Sequence, residues 1–383
     1  MTSGNDTLRN PSKKAFALLF GVIFLYVCVS FLGSLSSPRS YPATSASRTS
    51  GPTSPAPLPP PANRQCIWEG VEKIIAIGDL HGDYEHFAEI LTDEDINLAV
   101  EKDKKLHWIG GKTHLVQIGD VMDRGDDAKR IFDDIRILEK EAAQAGGMVH
   151  MLIGNHEEIN ITEQTFDYPD YLSVGQLKSF LRPEFIKKKE AEFAKQIGTN
   201  GNMDAEWKDL IETKDKDKNK DTRDEYFEFF NQYYGRWIAE EHNAVIKIND
   251  TVFVHGGISE KYSKMKLQDI NNRYYTEFLK SFQGESFRTN ILFDQNGPLW
   301  FRELATWGDP LFSRDVDKIL ANLGAKYIVI AHTPLIDPGG ITSRFNSRVW
   351  VIDTGISRLY GGYLSALIIE KGKFVRWRKN YAP

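Results

Sequence analysis

Five short segments constrain this chain more tightly than any other feature: residues 78–82 (GDLHG), 119–125 (GDVMDRG), 154–157 (GNHE), 254–257 (VHGG) and 331–334 (AHTP). Most follow an apolar, β-branched run, so each is expected where a strand gives out into a tight turn whose glycines accept backbone angles that other residues resist. Acids, histidines and an asparagine thus recur at strand ends. In open α/β sheets the carboxyl ends of strands are where sites assemble. An isolated Asp-x-His or Asn-His-Glu is an ordinary loop feature; five such segments in one chain are not.

Around them strands and helices alternate. Strands are expected at 73–77, 114–118 and 148–153, with helices at 84–91 and 127–144, the second ended by Ala145-Gly146-Gly147. Helix-linked strands of this kind make a mainly parallel sheet with helices over it. Further strands are expected at 244–248 and 251–254, joined by a tight hairpin at Asn249-Asp250, and at 327–330, 349–352 and 363–370. A charged insertion occupies residues 160–232. Within it, 214–224 (KDKDKNKDTRD) reads as a surface loop. Aromatics three and four apart in 180–193 and 225–237 read as inward-facing helix stripes, with a substrate-gating cap as the other reading.

Ahead of the folded body, residues 1–14 make a short tail and 15–33 (AFALLFGVIFLYVCVSFLG) carry no charge. That is about twenty residues, the length that crosses a bilayer as a helix. A cleavable signal has a shorter apolar core, about 7–15 residues. Arg9, Lys13 and Lys14 favour a cytoplasmic N-terminus, a bias that Arg39 and Arg48 weaken. The expectation is a single-pass signal-anchor through 15–33, with the body on the non-cytoplasmic side (lumenal, periplasmic or extracellular), or secreted if the segment is cleaved. Residues 34–65, rich in Ser and Pro, are expected to be a disordered linker to a body spanning 66–383. In a secretory lumen, Asn160-Ile161-Thr162 and Asn249-Asp250-Thr251 would be glycosylation sequons. A net charge of −5 without a dense basic face gives no reason to expect a nucleic-acid partner. Two cysteines, Cys28 and Cys66, are too few for a disulfide framework.

The five segments together supply ligands for two divalent cations. Asp79 and His81 are assigned to one, Asp120 bridges to the second, and Asn155, His255 and His332 complete the second site. Mixed oxygen and imidazole donors suit Mn, Zn or Fe and argue against all-oxygen Ca or Mg cages. Two cations about 3.5–4 Å apart lower the pKa of a bridging water and clamp both ends of an in-line displacement at phosphorus. His156, beside Asn155, is placed to act as general acid on the leaving group, with Asp123 orienting it. Arg124 can fork onto phosphate oxygens. Arg302, in 297–302 (GPLWFR), is the candidate second phosphate clamp, ahead of Arg344 and Arg358.

The order of these motifs resembles the phosphoprotein phosphatases of the calcineurin-like metallophosphoesterase superfamily. More narrowly, 108–111 (WIGG), 119–126 (GDVMDRGD), Asn155-His156-Glu157 and 297–302 (GPLWFR) resemble the Shewanella-like protein phosphatases. The resemblance covers about residues 74–370. It implies an αββα four-layer sandwich, two divalent metal ions, and direct hydrolysis of phosphomonoesters on a phosphoprotein or phosphopeptide. It also assigns the six ligands, the Asp123–His156 pair and Arg124 to the roles given above. The chain has 353–357 (DTGIS) where the eukaryotic Ser/Thr enzymes carry Ser-Ala-Pro-Asn-Tyr, which leaves Ser/Thr against Tyr preference open. A rival within hydrolases is cleavage of dinucleoside polyphosphate or inorganic polyphosphate, which should demand clustered Lys and Arg beyond Arg124 and Arg302. A non-catalytic scaffold is the remaining alternative, and the intact ligands and acid pair speak against it.

Overall fold

The computed structural model describes residues 64–197, 201–285, 290–335 and 340–379. Its strands are β1 (Ile67–Trp68), β2 (Lys73–Ile77), β3 (Ala99–Lys102), β4 (Lys105–Trp108), β5 (His114–Gln117), β6 (Met148–Met151), β7 (Val245–Ile248), β8 (Thr251–Val254), β9 (Tyr327–Ile330), β10 (Thr342–Arg344), β11 (Val349–Val351), β12 (Ser365–Glu370) and β13 (Lys373–Arg378). They form two larger sheets, ordered β1-β7-β8-β9-β11-β10 and β13-β12-β2-β5-β6, plus the β3–β4 hairpin.

Both sheets are mixed rather than mainly parallel. β2, β5 and β6 run parallel, while β12 lies antiparallel to β2 and to β13. In the other sheet β8, β9 and β11 are parallel, and β7 folds onto β8 through the expected hairpin, with Asn249 at φ +53°. Every residue of β5 and β8 is buried, as strands covered on both faces at sheet centres are. The sheets meet where β6 runs out: the Ile153 amide donates to the Asn243 carbonyl at 3.1 Å. One continuous apolar core links them. This is the α/β architecture the motifs lead one to expect.

The helix Ala128–Ala145 buries Ile131, Phe132, Ile135 and Leu138 on one face and stops at Gly146, which takes the left-handed cap angle φ +80°. In the insertion, helices Pro183–Ile197, Met203–Glu212 and Lys220–Phe230 are followed by a π turn at Asn231–Gly235 and a helix at Arg236–Glu241. The expected loop at 214–224 is therefore helical from Lys220 onward. The aromatic stripes do face inward: Phe180 meets Phe230, Tyr234 and Tyr226 edge-on, with centroids 5.2, 5.3 and 5.8 Å apart.

Three expectations need correction. Among the described residues no helix is long and apolar enough to cross a membrane. Residues 15–33, on which the anchor and the non-cytoplasmic placement rested, lie outside the described residues, so neither the single-pass architecture nor that localisation is supported. The 34–65 linker lies outside them too, but for its last two residues. Asn160 is not an available sequon: it is fully buried, and its amide donates to Asp123 and to the His156 carbonyl. At the other sequon, Asn249 uses its side chain on Val71, with its amide donating to the carbonyl at 2.8 Å.

Candidate metal centre

The two segments that follow β5 and β6 are built against each other. Gly119, at φ +98°, would place a Cβ 2.7 Å from the Gly154 amide nitrogen, and a Cβ on Gly154 would run into Asp120. Only glycine at both positions lets the turns approach this closely. Glu157, in the first turn of the helix Asn155–Ile161, then ties them together. Its Oε2 accepts from the amides of Gly154 (2.8 Å) and Asp120 (2.9 Å), and its Oε1 from those of Val121 (2.9 Å) and Met122 (3.1 Å).

Asp120, whose amide this clamp holds, is one of several unusual backbone positions at the site. His81, Asp120, Asp123, Arg124 and His332 all have positive φ, between 45° and 72°, a region non-glycine residues avoid. Such angles persist only where surroundings over-determine them, and they gather at functional sites.

Asp120 is the hub. Its Oδ1 lies 3.2 Å from His255 Nε2, and its Oδ2 lies 3.9 Å from His81 Nε2 and 3.8 Å from His156 Nε2. Two compact donor groups result, His81–Asp120–His156 and Asp120–His255–His332, each with its ligand atoms within 4.8 Å of one another. Only Asp120 belongs to both. Burial works against its charge, but His255, His156 and His81 outweigh that and hold its pKa well below the usual value.

The imidazoles are pre-aimed. His81 Nδ1 donates to the Met122 carbonyl and His255 Nδ1 to the Ile118 carbonyl, both at 3.0 Å, which turns each Nε2 toward Asp120. Asn155 Oδ1 sits 3.0 Å from His255 Nε2. Burial lowers the pKa of His81 to about 3 and pushes His332 well down, so both are neutral, as ligands must be.

Two atoms decide whether cations fit. Asp79 Oδ1 and His332 Nε2 are buried and have no hydrogen-bond partner. An orphaned buried acceptor costs about 1–3 kcal/mol, so such atoms call for an explanation. A cation supplies it, and the donor set of carboxylate, imidazole and amide oxygen suits a borderline transition metal. All six expected ligands therefore converge. The fit differs from expectation in two respects: Asp79 stands outside both compact groups, its Oδ1 3.7 Å from His255 Nδ1, and His156, expected as the acid, lies in the group with His81.

Beside the hub lies the expected pair. His156 Nδ1 donates to Asp123 Oδ2 at 2.7 Å. Burial lowers the His156 pKa, but Asp120 and Asp123 raise it further, for a net upward shift. The Arg124 guanidinium lies between two tyrosine rings, 4.5 Å from the centroid of Tyr171 and 5.1 Å from that of Tyr360. Its Nε is buried without a partner. Arg302 donates to the His332 carbonyl at 2.8 Å and to Thr333 Oγ1 at 3.1 Å, and it feels Asp120, Asp79 and Asp353 electrostatically. Arg344 and Arg358 are spent elsewhere: Arg344 on the Leu304 and Trp307 carbonyls, Arg358 on Glu85 and Asp83.

The sequence reading passed over three kinds of residue. Asp353 faces Asp79, and burial raises its pKa to about 6; it ends the apolar run of β11 in Asp-Thr-Gly, the same signal that marked the other segments. Tyr171 and Tyr360 had no motif to announce them. Gln176 gave no signal at all, and Tyr226 showed only as part of the aromatic stripe at 225–237, with nothing to tie its hydroxyl to the site.

A model of the calcineurin-like phosphoesterase domain matches residues 72–335. The chain belongs to that family. The Shewanella-like protein phosphatase 1 of Plasmodium berghei (strain Anka) is 29% identical over 335 residues, covering 80% of this chain and 76% of its own. The Shewanella-like protein phosphatase 2 of Arabidopsis thaliana is 28% identical over 308 residues, with coverage of 77% and 74%. Among solved structures, a cold-active protein tyrosine phosphatase superposes with a TM-score of 0.59 at 23% identity, covering 82% of this chain and 81% of its own, a likeness of fold. This phosphoesterase is accordingly a metal-dependent phosphatase that takes two divalent cations, and its relatives agree with the protein-phosphatase reading of the motifs.

Proposed function

We propose that this phosphoesterase removes phosphate from proteins and prefers phosphotyrosine. The observation carrying the phosphatase reading is the hub: one carboxylate, Asp120, shared by two histidine-rich donor groups, with a hydrogen-bonded Asp–His pair at its side. In this reading Asp79, His81, Asp120, Asn155, His255 and His332 hold the cations. When bound, these supply Lewis-acid stabilisation of the phosphoryl oxygens and an activated water near neutral pH.

The chain's own side chains do the rest. Arg124 binds a phosphate oxygen pair from its slot between Tyr171 and Tyr360, and Arg302 approaches from the His332 side. His156, whose pKa Asp120 and Asp123 raise against the effect of burial, gives the Nε2 proton to the departing oxygen, and Asp123 holds Nδ1 so that Nε2 faces the hub.

The preference for an aryl ester rests on the aromatic lining. Tyr171 lies against His156, centroids 4.9 Å apart, and Tyr360 against His81, centroids 5.4 Å apart. Tyr168 stacks on Tyr171 at 5.4 Å and 7°. A phenyl ring beyond the phosphate would reach the exposed Tyr168 of the Tyr168–Tyr171 stack, whereas the single methylene of phosphoserine reaches less far toward it. Rates on matched phosphotyrosine, phosphoserine and polyphosphate substrates, with Mn, Zn and Fe added in turn, test this. Phosphotyrosine should lead; a lead for polyphosphate would refute the reading.

A further inference from the structure

The catalytic pair is not finished by the motifs that carry it. Asp123 sits at φ +68° and Arg124 at φ +72°, a two-residue left-handed turn that needs outside support. The support comes from the insertion. The Asp123 amide donates to Gln176 Oε1 at 2.7 Å, while Gln176 Nε2 donates back to Asp123 Oδ1 at 2.7 Å. One primary amide thus grips both the backbone and the carboxylate of the same residue. The Arg124 amide donates to the Tyr171 carbonyl, in the same stretch of chain.

A second arm reaches in from further on. Asn160 Nδ2 lies 3.1 Å from both oxygens of Asp123, and its Oδ1 accepts from the Tyr226 hydroxyl at 2.8 Å. Gln176 Nε2 also lies 3.2 Å from that hydroxyl. Gln176, Asn160 and Tyr226 are all fully buried, and burial pushes the Tyr226 hydroxyl well above its usual pKa, so it stays a donor. The carboxylate is therefore surrounded: Oδ1 by Gln176 and Asn160, Oδ2 by Asn160 and His156.

We propose that Gln176 and Tyr226 are positioning residues for the acid step: through Asp123 they fix the direction in which the His156 imidazole delivers its proton. The charged insertion, whose outer face looks like padding, thereby contributes to the chemistry from within. A carboxylate held by one partner can swing about its Cα–Cβ bond; one held by three cannot, and the imidazole bonded to it inherits the constraint. The choice of residue types fits. A glutamine supplies an acceptor and a donor on one planar group, as the amide and carboxylate of Asp123 both require, and the tyrosine holds Asn160 so that its amide protons face Asp123. A lysine or arginine in place of Gln176 has no acceptor to offer the Asp123 amide.

The inference rests on the acid role proposed for His156, so the test separates the two. Gln176→Leu keeps the volume and loses both bonds to Asp123 along with the one to the Tyr226 hydroxyl; Tyr226→Phe loses one hydroxyl and serves if the first variant folds poorly. Each is compared with the unaltered protein on phenyl phosphate and p-nitrophenyl phosphate, with thermal midpoints recorded. General acid catalysis is worth roughly 10²–10⁴-fold for a poor leaving group and little for a good one. Gln176→Leu should lower kcat on phenyl phosphate ~10-fold or more with p-nitrophenyl phosphate changed less than ~3-fold and KM unmoved, Tyr226→Phe showing a smaller loss of the same kind. In a His156→Ala background the Gln176→Leu effect should vanish. Equal losses on both esters, or a Gln176→Leu effect that persists without His156, overturn the positioning role. If His156→Ala itself shows no dependence on leaving group, the acid role falls instead, and this inference falls with it.

Discussion

Glu157 offers the sharpest quantitative test of how the centre is built. It is fully buried, and its two oxygens take four backbone amides from the turns that carry Asp120 and Asn155. Glu157→Gln preserves shape but leaves one oxygen, which can keep two of those bonds. The NH2 group then faces the other two amides as donor against donor. Each lost bond to a charged acceptor is worth about 1.5–3 kcal/mol, so two suggest roughly 3–6 kcal/mol. Burial, and Asp120 close by, push the Glu157 pKa up, which offsets part of that gain. A loss of about 2–4 kcal/mol is the expected figure, a large share of the roughly 5–15 kcal/mol that folded domains command. Urea unfolding, with m held equal between the two proteins, measures it. Bound metal should fall in parallel, because the left-handed turn at Asp120 loses its clamp. A variant within ~1 kcal/mol of the original and still fully loaded would show that the turn needs no such support.

Further perturbations separate packing, charge and chemistry. Burial drops the His150 pKa from the usual 6.5 to about 3, with His114, 3.0 Å away, adding to the fall. The unfolded chain therefore takes up a proton that the fold refuses. His150 costs nothing above pH 6.5 and about 1.4 kcal/mol per unit as pH falls from there toward 3, a slope that His150→Gln should flatten in pH-dependent melts. Arg124→Ala removes a phosphate ligand and its stacking, and should raise KM and lower kcat/KM ~10²-fold on every ester, leaving the melting midpoint nearly unchanged. Gly154→Ala drives a methyl group into Asp120 and should abolish metal binding even where the protein still folds.

What the sequence could and could not reveal follows from the range of the forces involved. The side chains proposed to hold the metals were legible because each follows an apolar strand and all but His332 sit in a glycine-bounded turn, a local signal that survives without any partner in view. β2, β5, β8 and β9 were legible for the same reason. β1, β10 and β13 were not: β1 and β10 span two and three residues, and β13 (KFVRWR) alternates too weakly to stand out from its charged flanks. Leu267–Phe282 was passed over although its stripe of Ile270, Tyr274 and Phe278 is regular, so that omission is one of reading, not of signal. Gln176 and Tyr226 are different in kind. Their partners lie 53 and 66 residues away, and a buried polar residue is indistinguishable from an exposed one until the chain is folded.

The hub at Asp120 is what the two-cation centre depends on. Anomalous diffraction from a crystal of the manganese-loaded protein addresses it directly. Two peaks should appear, one reached by His81 and the other by His255 and His332, with the Asp120 carboxylate between them. A single peak, or ions bound away from those side chains, would contradict it.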